Sequence, residues 1–285
     1  VAVAALMVAL SVTIGVSLMV GSFRQTVVVW LADVLQGDVY ISVPSLAAAQ
    51  PSPIDPTVME AVRQRSDVTR VDSVRSQTVD SPYGPVGVIA VDNSDIGQEH
   101  TYLSLDGKAE AVWDMLQSGG VIVSEPFANR LRIPRHGGTI TLYTEDGSHV
   151  FPVVGIYYDY ASSQGVVSMS LQTYRRFWHD DAVTALGLRL AHGADPDAVA
   201  SDLQDSLAPL QHVLVRPNRA VRDDVLVIFD RTFAIAGALQ LLATVVAFIG
   251  VLSALLALQL DRQRELGILR AVGLTGGQLW RLVML

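Results

Sequence analysis

Two long runs without a charged residue constrain this chain more than any other feature of its sequence. Residues Val1 to Phe23 and Thr232 to Leu260 contain no Asp, Glu, Lys or Arg. About 20 helical residues span the hydrocarbon core of a bilayer, whereas the buried helices of soluble proteins have shorter apolar runs. We therefore predict membrane helices at 1–23 and 232–260. The first run lacks the basic start and the short apolar stretch of a signal peptide.

Both ends of the sequence indicate a piece cut from a longer membrane protein. The chain begins on Val1, inside an apolar run, and it stops inside another one, Leu279–Leu285. Thr275 and Gln278 fit a capping box that opens a new helix. We expect 278–285 to begin a third membrane helix.

The charges divide unevenly between the parts of the chain. The tail after Leu260 has four arginines and two acidic residues, so its net charge is +2. The whole chain has a net charge of −8 and residues 1–23 are uncharged, so the segment 24–231 has a net charge of −10. Basic loops stay in the cytoplasm, so we predict that the tail is inside and that 24–231 is extracytoplasmic. The acidic balance argues against nucleic acid as a partner. The chain has no cysteine, which excludes disulfides and thiolate metal sites.

The first part of the segment 24–231 has the pattern of a strand, a helix and further strands. Alternating polar and apolar residues predict a strand at 37–43. Asp55 followed by Pro56 supplies an N-cap and a proline at the first helical position, so a helix should run to about Ser66. Strands are then predicted at 68–79 and 86–91.

The same order returns near the end of the segment. A strand is predicted at 185–190, a helix from Asp195 and Pro196 to about Leu207, and a strand at 211–215. Two strand–helix–strand units predict a ferredoxin-like base assembled from both ends of the segment. The fold class is therefore α+β, with membrane helices flanking a mixed α/β domain.

A β-rich lobe, at about 84–180, is predicted to be inserted into this base. A strand at Val121–Ser124 leads into a short helix that ends at Leu131. Residues 139–143 and 151–156 form a predicted hairpin around the turn residues Glu145–Ser148. A strand at 166–170 and a helix at 171–178 complete the lobe.

The second membrane helix is predicted to begin as a stalk outside the membrane. Val221–Arg231 alternates charged and apolar residues without Gly or Pro. The run that follows would measure about 43 Å as a helix, which exceeds the hydrocarbon core. We predict one continuous helix from about Val221 to Leu260, able to carry force.

The tail 261–277 has the pattern of a short amphipathic helix at the inner membrane surface. Its apolar residues lie roughly on one side and its arginines mark the other, and Gly273 is suited to stop the helix. The pattern alone leaves two roles open. A basic helix binds anionic lipid, and an apolar face docks a partner protein.

The tail sequence Arg264–Gly273 resembles the segment after the second span of FtsX-like permeases, the membrane subunits of MacB-type ABC transporters. Ser124–Ala128, the hairpin with Gly147, and Val153–Ile156 resemble the extracytoplasmic domain of that family. Ser22–Arg24 and Trp30, ahead of Gly37–Tyr40, resemble the second half of long permeases with two such modules. The resemblance covers nearly the whole chain.

The resemblance implies a multi-pass permease subunit in the bacterial inner membrane. It would couple ATP hydrolysis by a separate cytoplasmic ATPase to movement of the outer domain, for export or extraction of a lipid, lipoprotein, peptide or antibiotic. The further partners implied are a second permease module, membrane lipid, and a periplasmic adaptor or lipoprotein. The implied ATPase-coupling residues are Arg264, Glu265, Leu266, Leu269, Arg270 and Gly273. The chain has no phosphate-binding loop, so no cofactor is expected here, and ATP and Mg belong to the partner ATPase.

Small residues four apart predict close helix packing within the spans. Such spacing also arises by chance in alanine-rich helices. The pairs are Ser11 with Gly15, Ala243 with Ala247, and Gly250 with Ala254.

No residue set predicts catalysis or a metal site. His179–Asp181 is interpreted as a polar loop and Asp92–Asp95 as a turn, because neither has the further ligands that a zinc or calcium site needs. Ser124 lacks the setting of a nucleophile elbow. Tyr157, Tyr158 and Tyr160 either edge a binding surface or form a half-buried wall.

Two other functions fit the order of the segments. One is a membrane-bound sensory receptor with an extracytoplasmic ligand domain. The other is an FtsX-like regulator of a periplasmic hydrolase. A receptor should continue into long cytoplasmic heptads, whereas this chain returns to apolar residues after Thr275.

Overall fold

The computed structural model describes residues 2–44, 51–271, Gly273 and Gly277. Within them the helices are α1 (Ala2–Val34), α2 (Pro56–Arg63), α3 (Val112–Gln117), α4 (Glu125–Leu131), α5 (Leu171–Trp178), α6 (Pro196–Leu207) and α7 (Asn218–Ala271). The strands are β1 (Val39–Ser42), β2 (Val68–Val79), β3 (Val86–Val91), β4 (Tyr102–Leu105), β5 (Val121–Ser124), β6 (Gly138–Thr144), β7 (Gly147–Tyr157), β8 (Val166–Ser170), β9 (Ala185–Leu190) and β10 (Leu214–Pro217).

The chain forms two compact units. One is the α/β domain, Thr26–Leu226, and the other is the helical unit, made of the residues up to Gln25 and those from Val227. Among the described residues, Ser11–Val34 and Asn218–Ala257 are helical, long enough and apolar enough to cross a membrane. Only 6% and 0% of their most apolar windows are buried, which distinguishes them from the core helices of a soluble protein.

Both long helices extend further than the charge-free runs. Helix α1 continues past Phe23 to Val34, so the predicted start of the domain at residue 24 is still helical. Helix α7 begins at Asn218 and continues past Leu260 to Ala271. The predicted separate helix at 261–277 is therefore, as far as Ala271, an extension of α7. Residues 262–266 are good helix formers, and 261–266 contain no Gly or Pro, so nothing in the local sequence breaks the helix at Leu260.

The ferredoxin-like base is confirmed by the order of its strands. The sheet runs β10-β1-β9-β2 at this end, and the neighbouring strands are all antiparallel. This is the arrangement that two strand–helix–strand units adopt when they interleave. Its core lies between the sheet and helices α2 and α6, where Ile41, Val58, Val62, Leu188 and Leu203 are fully or almost fully buried.

Local signals placed the starts of the two base helices correctly. The side chain of Asp55 accepts a hydrogen bond from Thr57 N at 2.8 Å. The side chain of Asp195 accepts one from Asp197 N at 3.2 Å. These are N-caps that satisfy backbone groups at helix starts.

Two predicted boundaries in the base need correction. Helix α2 ends at Arg63 rather than near Ser66. The predicted strand at 211–215 is displaced to Leu214–Pro217, because the side chain of Gln211 bonds the backbones of Asp55 and Pro53 instead of joining a strand.

The strands of the predicted lobe extend the sheet of the base. The early part of β2 pairs with β9 and the later part with β3, and Val74 faces partners in both. Beyond β3 the order is β8-β5-β7-β4, with β6 also paired to β7. The lobe has its own core, in which the rings of Phe127, Phe151, Tyr174 and Trp178 are buried.

The hairpin predicted around Glu145–Ser148 is confirmed as β6 and β7, joined at Glu145 and Asp146. Gly147 has φ +105°, a left-handed conformation that glycine adopts without steric cost. Strand β4 and helix α3 were not predicted. They pack around a third, smaller core of Ile96, Leu116, Ile122 and Tyr157.

Candidate functional site

The predicted ATPase-coupling residues lie at the far end of α7. Residues 264–270 are helical, and the structure describes their backbone but not their side chains. Gly273 is exposed and has φ +103°. This left-handed backbone two residues after Ala271 is the conformation with which glycine ends helices, so the predicted helix stop is confirmed. The coupling role of these residues stays a prediction.

Among the described residues, the predicted helix-packing residues do not come together in one interface, and their packing role stays a prediction. Ser11, Gly15, Ala243 and Gly250 are exposed, whereas Ala247 and Ala254 are half-buried. A Cβ added at Gly15 or at Gly250 would meet no atom of the described residues within 4 Å. The close approach predicted at these two glycines is therefore not made by a described segment of this chain.

Hydrogen bonds of polar side chains join α1 and α7 in the helical unit. Gln240 Nε2 donates to Thr13 O at 2.8 Å and to Ser17 Oγ at 3.0 Å. The hydroxyls of Thr13 and Thr244 are 3.3 Å apart. Such bonds hold helices together in an apolar solvent. The small-residue spacing missed this contact because it considers size alone.

An ion pair marks the ends of the two charge-free runs. Arg24 follows the first run, Asp230 shortly precedes the second, and Arg24 Nε lies 3.0 Å from Asp230 Oδ1. Beside this pair, the ring centroids of Phe23 and Phe229 are 5.5 Å apart and those of Phe229 and Phe233 are 4.5 Å apart. The two runs therefore pack antiparallel with their outer ends matched.

We expect a double variant, Thr13→Cys with Thr244→Cys, to form a disulfide under mild oxidation. The two hydroxyls are in contact, and the native chain has no cysteine that would compete. The measurement is a mobility shift on a non-reducing gel. Val12→Cys with Thr244→Cys is the matched control, since the Val12 side chain is exposed. Equal cross-linking of the two variants would contradict the helix pairing.

A cavity of about 330 Å³ lies within the α/β domain. Its floor is the face of the sheet that carries Val74, Ile89 and Ala185, and Trp30, near the end of α1, lines it as well. Most of its lining is apolar. This combination of size and lining is that of a small-ligand pocket.

An ionic network contributes two carboxylates to the cavity wall. Arg70 donates to Asp72 and Asp95, each at 2.6 Å, and Arg189 donates to Glu99 at 2.6 Å. Burial raises the pKa of Glu99 and of Asp72, while the hydrogen bond from Arg70 lowers the pKa of the more exposed Asp95. The network joins β2, β9 and the segment after β3, and its charges are largely compensated.

Three further polar groups line the same cavity. Nε1 of Trp30 and Nδ1 of His100 are buried, and neither has a hydrogen-bond partner among the described residues. Burial lowers the pKa of His100, so its imidazole is neutral at pH 7. Asp159 is 9% exposed and accepts a hydrogen bond from Ala161 N at 2.9 Å.

The tyrosines that sequence analysis singled out separate into two roles. Tyr157 is buried, and its hydroxyl lies 3.1 Å from Ser168 Oγ. Tyr160 is 43% exposed and packs edge-on against Trp30, with centroids 5.9 Å apart. Burial raises the pKa of Tyr157, so its hydroxyl stays protonated.

The two motifs weighed as metal sites carry out structural roles. Asp180 Oδ2 accepts a hydrogen bond from Arg75 Nε at 2.8 Å. Asn93 accepts a hydrogen bond from Asp95 N at 2.9 Å, which makes an Asx-type turn. Among the described residues, no group of three or more His, Cys, Asp or Glu is placed to hold a metal ion.

The chain is similar in sequence to a known domain family and to a known permease. Residues 1–206 match the MacB-like periplasmic core domain. An uncharacterized ABC transporter permease protein of Mycobacterium tuberculosis is 42% identical over 291 residues, which include 100% of this chain and 34% of that protein. The chain thus spans about a third of the length of this relative.

Two solved structures are also similar. The periplasmic region of MacB from Actinobacillus actinomycetemcomitans shares 9% identity and has a TM-score of 0.48, covering 68% of this chain and 95% of that one. The extracellular domain of the noncanonic ABC-type transporter YknZ from Gram-positive bacteria shares 11% identity and has a TM-score of 0.44, covering 64% and 100%. Because the family match includes most of the α/β domain and the first apolar run, the chain belongs to the MacB-like periplasmic core domain family.

Proposed function

We propose that this chain is part of the permease subunit of an ABC transporter. In this proposal a separate cytoplasmic ATPase hydrolyses ATP, and the chain couples that hydrolysis to movement of its extracytoplasmic α/β domain. The observation that carries the proposal is the 42% identity to an ABC transporter permease along the whole of this chain. The chain itself is then a non-catalytic membrane subunit with no cofactor of its own.

The continuity of α7 supports a mechanical role. It is one helix from Asn218, directly after the last strand, to Ala271 in the basic tail. An uninterrupted helix transmits displacement along its axis, because each turn is fixed to the next by backbone hydrogen bonds. We propose that α7 links events at the ATPase to the α/β domain.

We propose that the ATPase docks on the coupling residues named above. Leu266 and Leu269 would fill a groove on the partner, and Glu265 and Arg270 would form ion pairs at its rim. Apolar anchors with a charged rim are the usual composition of such interfaces. Gly273 would end the helix and allow the chain to turn back to the membrane.

The remaining partners follow from the same proposal. Gly15 and Gly250 are free to approach another helix, so we propose that they pack against further spans of the intact protein or a second permease module. Membrane lipid surrounds the exposed apolar side chains. The cargo would be a lipid, lipoprotein, peptide or antibiotic, with a periplasmic adaptor or lipoprotein as a further partner, in a multi-pass protein of the bacterial inner membrane.

Co-purification of the intact permease with its ATPase tests the docking proposal. Glu265→Lys with Leu269→Ala should weaken the association about tenfold or more, because it reverses one rim charge and removes one apolar anchor. The control is Asp223→Lys with Leu226→Ala, which likewise reverses one acidic charge and shortens one leucine elsewhere on α7. Undiminished recovery of the ATPase with the first variant would overturn the assignment of the docking residues.

A further inference from the structure

The cavity in the α/β domain contains a buried carboxylate without a cationic partner among the described residues. Asp159 is 9% exposed, and the hydrogen bond that it accepts comes from the neutral backbone of Ala161. Its charge acts on the rings of His100 and Tyr157, and neither is cationic at pH 7. A buried carboxylate with no compensating cation is unfavourable.

The other carboxylates of the cavity differ from Asp159 in this respect. Asp72 lies 2.6 Å from Arg70, and Glu99 lies 2.6 Å from Arg189. Arginine therefore compensates the charge of two cavity carboxylates, whereas the third, Asp159, lines the cavity without an arginine partner among the described residues. A cationic ligand would supply the missing charge.

The walls of the cavity are suited to the rest of such a ligand. Trp30 and Tyr157 contribute aromatic rings, whose faces attract organic cations. Ile89 and Val74 contribute apolar surface. Nε1 of Trp30, which has no partner among the described residues, is able to donate to an oxygen of the same ligand. A volume of about 330 Å³ limits the ligand to a small molecule.

We propose that this cavity binds a small amphiphilic amine, with its ammonium group at Asp159 and its apolar body against Trp30, Ile89 and Val74. The binding is reversible and non-covalent. It resides wholly in the α/β domain and does not require the ATPase or the proposed coupling, so each proposal stands or fails separately.

Isothermal titration calorimetry on the full chain, in nanodiscs made of lipids without net charge, tests this site. The probes are 2-phenylethylamine and 2-phenylethanol, which match in size and differ in charge. We expect the amine to bind about tenfold more tightly than the alcohol, as a charge-assisted hydrogen bond would give. Equal affinities, or no binding of either probe, would overturn the proposal.

Asp159→Asn isolates the charge, because the amide oxygen can still accept from Ala161 N. We expect this variant to bind the two probes within about twofold of each other, with an unchanged or higher melting temperature, because an uncompensated charge is removed. Asp146→Asn is the matched control, since Asp146 is an exposed turn residue, and it should keep the preference for the amine. A preference for the amine that persists in Asp159→Asn would overturn the proposal.

A second variant keeps the test independent of Asp159. Trp30→Leu removes an aromatic wall and leaves the carboxylate, and we expect it to weaken the binding of the amine about threefold or more. An unaltered affinity for the amine would exclude Trp30 from the site and contradict the proposed pose.

Discussion

Replacing Gly165 with alanine is expected to lower the melting temperature of the α/β domain by about 10 °C. Gly165 has φ +73°, and a Cβ there would lie 2.4 Å from Phe127 N and 2.6 Å from Ser124 Oγ. A left-handed backbone costs a non-glycine residue about 1–2 kcal/mol, and overpacking adds about 1–3 kcal/mol. In a domain of this size each kcal/mol corresponds to roughly 2–4 °C.

Gly147→Ala is the matched control for this prediction. Gly147 also has a positive φ, +105°, but an added Cβ would meet nothing within 4 Å. It should therefore show the backbone strain alone, a decrease of about 4 °C. Thermal unfolding of both variants, followed by tryptophan fluorescence, makes the comparison. Equal decreases in melting temperature would contradict the prediction, because they would mean that Ser124 and Phe127 leave room for a Cβ at Gly165.

Replacing Asp223 and Asp224 together with glycine is expected to reduce the ATP-dependent movement of the α/β domain severalfold. Both residues are exposed positions within α7. Each glycine costs about 1 kcal/mol relative to alanine inside a helix, so two in succession create a flexible point. If α7 conducts the movement, as we propose, the flexible point absorbs part of the displacement.

The measurement uses a single cysteine introduced at Asp146, in a chain that has no other cysteine. A fluorophore attached there reports the response of the domain to ATP in the reconstituted transporter. Asp223→Ala with Asp224→Ala is the control, because it also loses the ion pair of Asp224 with Arg216 but keeps the helix stiff. A full response in the glycine variant would show that coupling does not depend on the rigidity of α7.

The parts of the fold that could be predicted are those with local signals. Asp55 and Asp195 each precede a proline, and both cap helices as predicted. The C-terminal ends of α1 and α7 lie beyond the predicted ones, at Val34 and Ala271. The prediction ended each helix at the first charged residue, whereas a helix ends where its backbone hydrogen bonding stops. The joining of base and lobe through β2 could not be predicted, since strand pairing brings together residues far apart in the chain.

The cavity could not be predicted for the same reason. Its lining extends from Trp30 to Gly187 through segments that meet only in the folded sheet. Sequence patterns single out Trp30 and the tyrosines 157, 158 and 160 separately, but nothing in their spacing places them together. The one sequence signal for Asp159 is an acid within a run of tyrosines, and the predicted sites do not include it.

The sharing of β2 determines how the domain opens to solvent. Because Val74 pairs with Ala185 on one side and with Val91 on the other, separating the base strands removes the template on which β3 and β8 are aligned. The amide hydrogens of base and lobe therefore exchange with water through the same opening event, as one cooperative unit rather than as two.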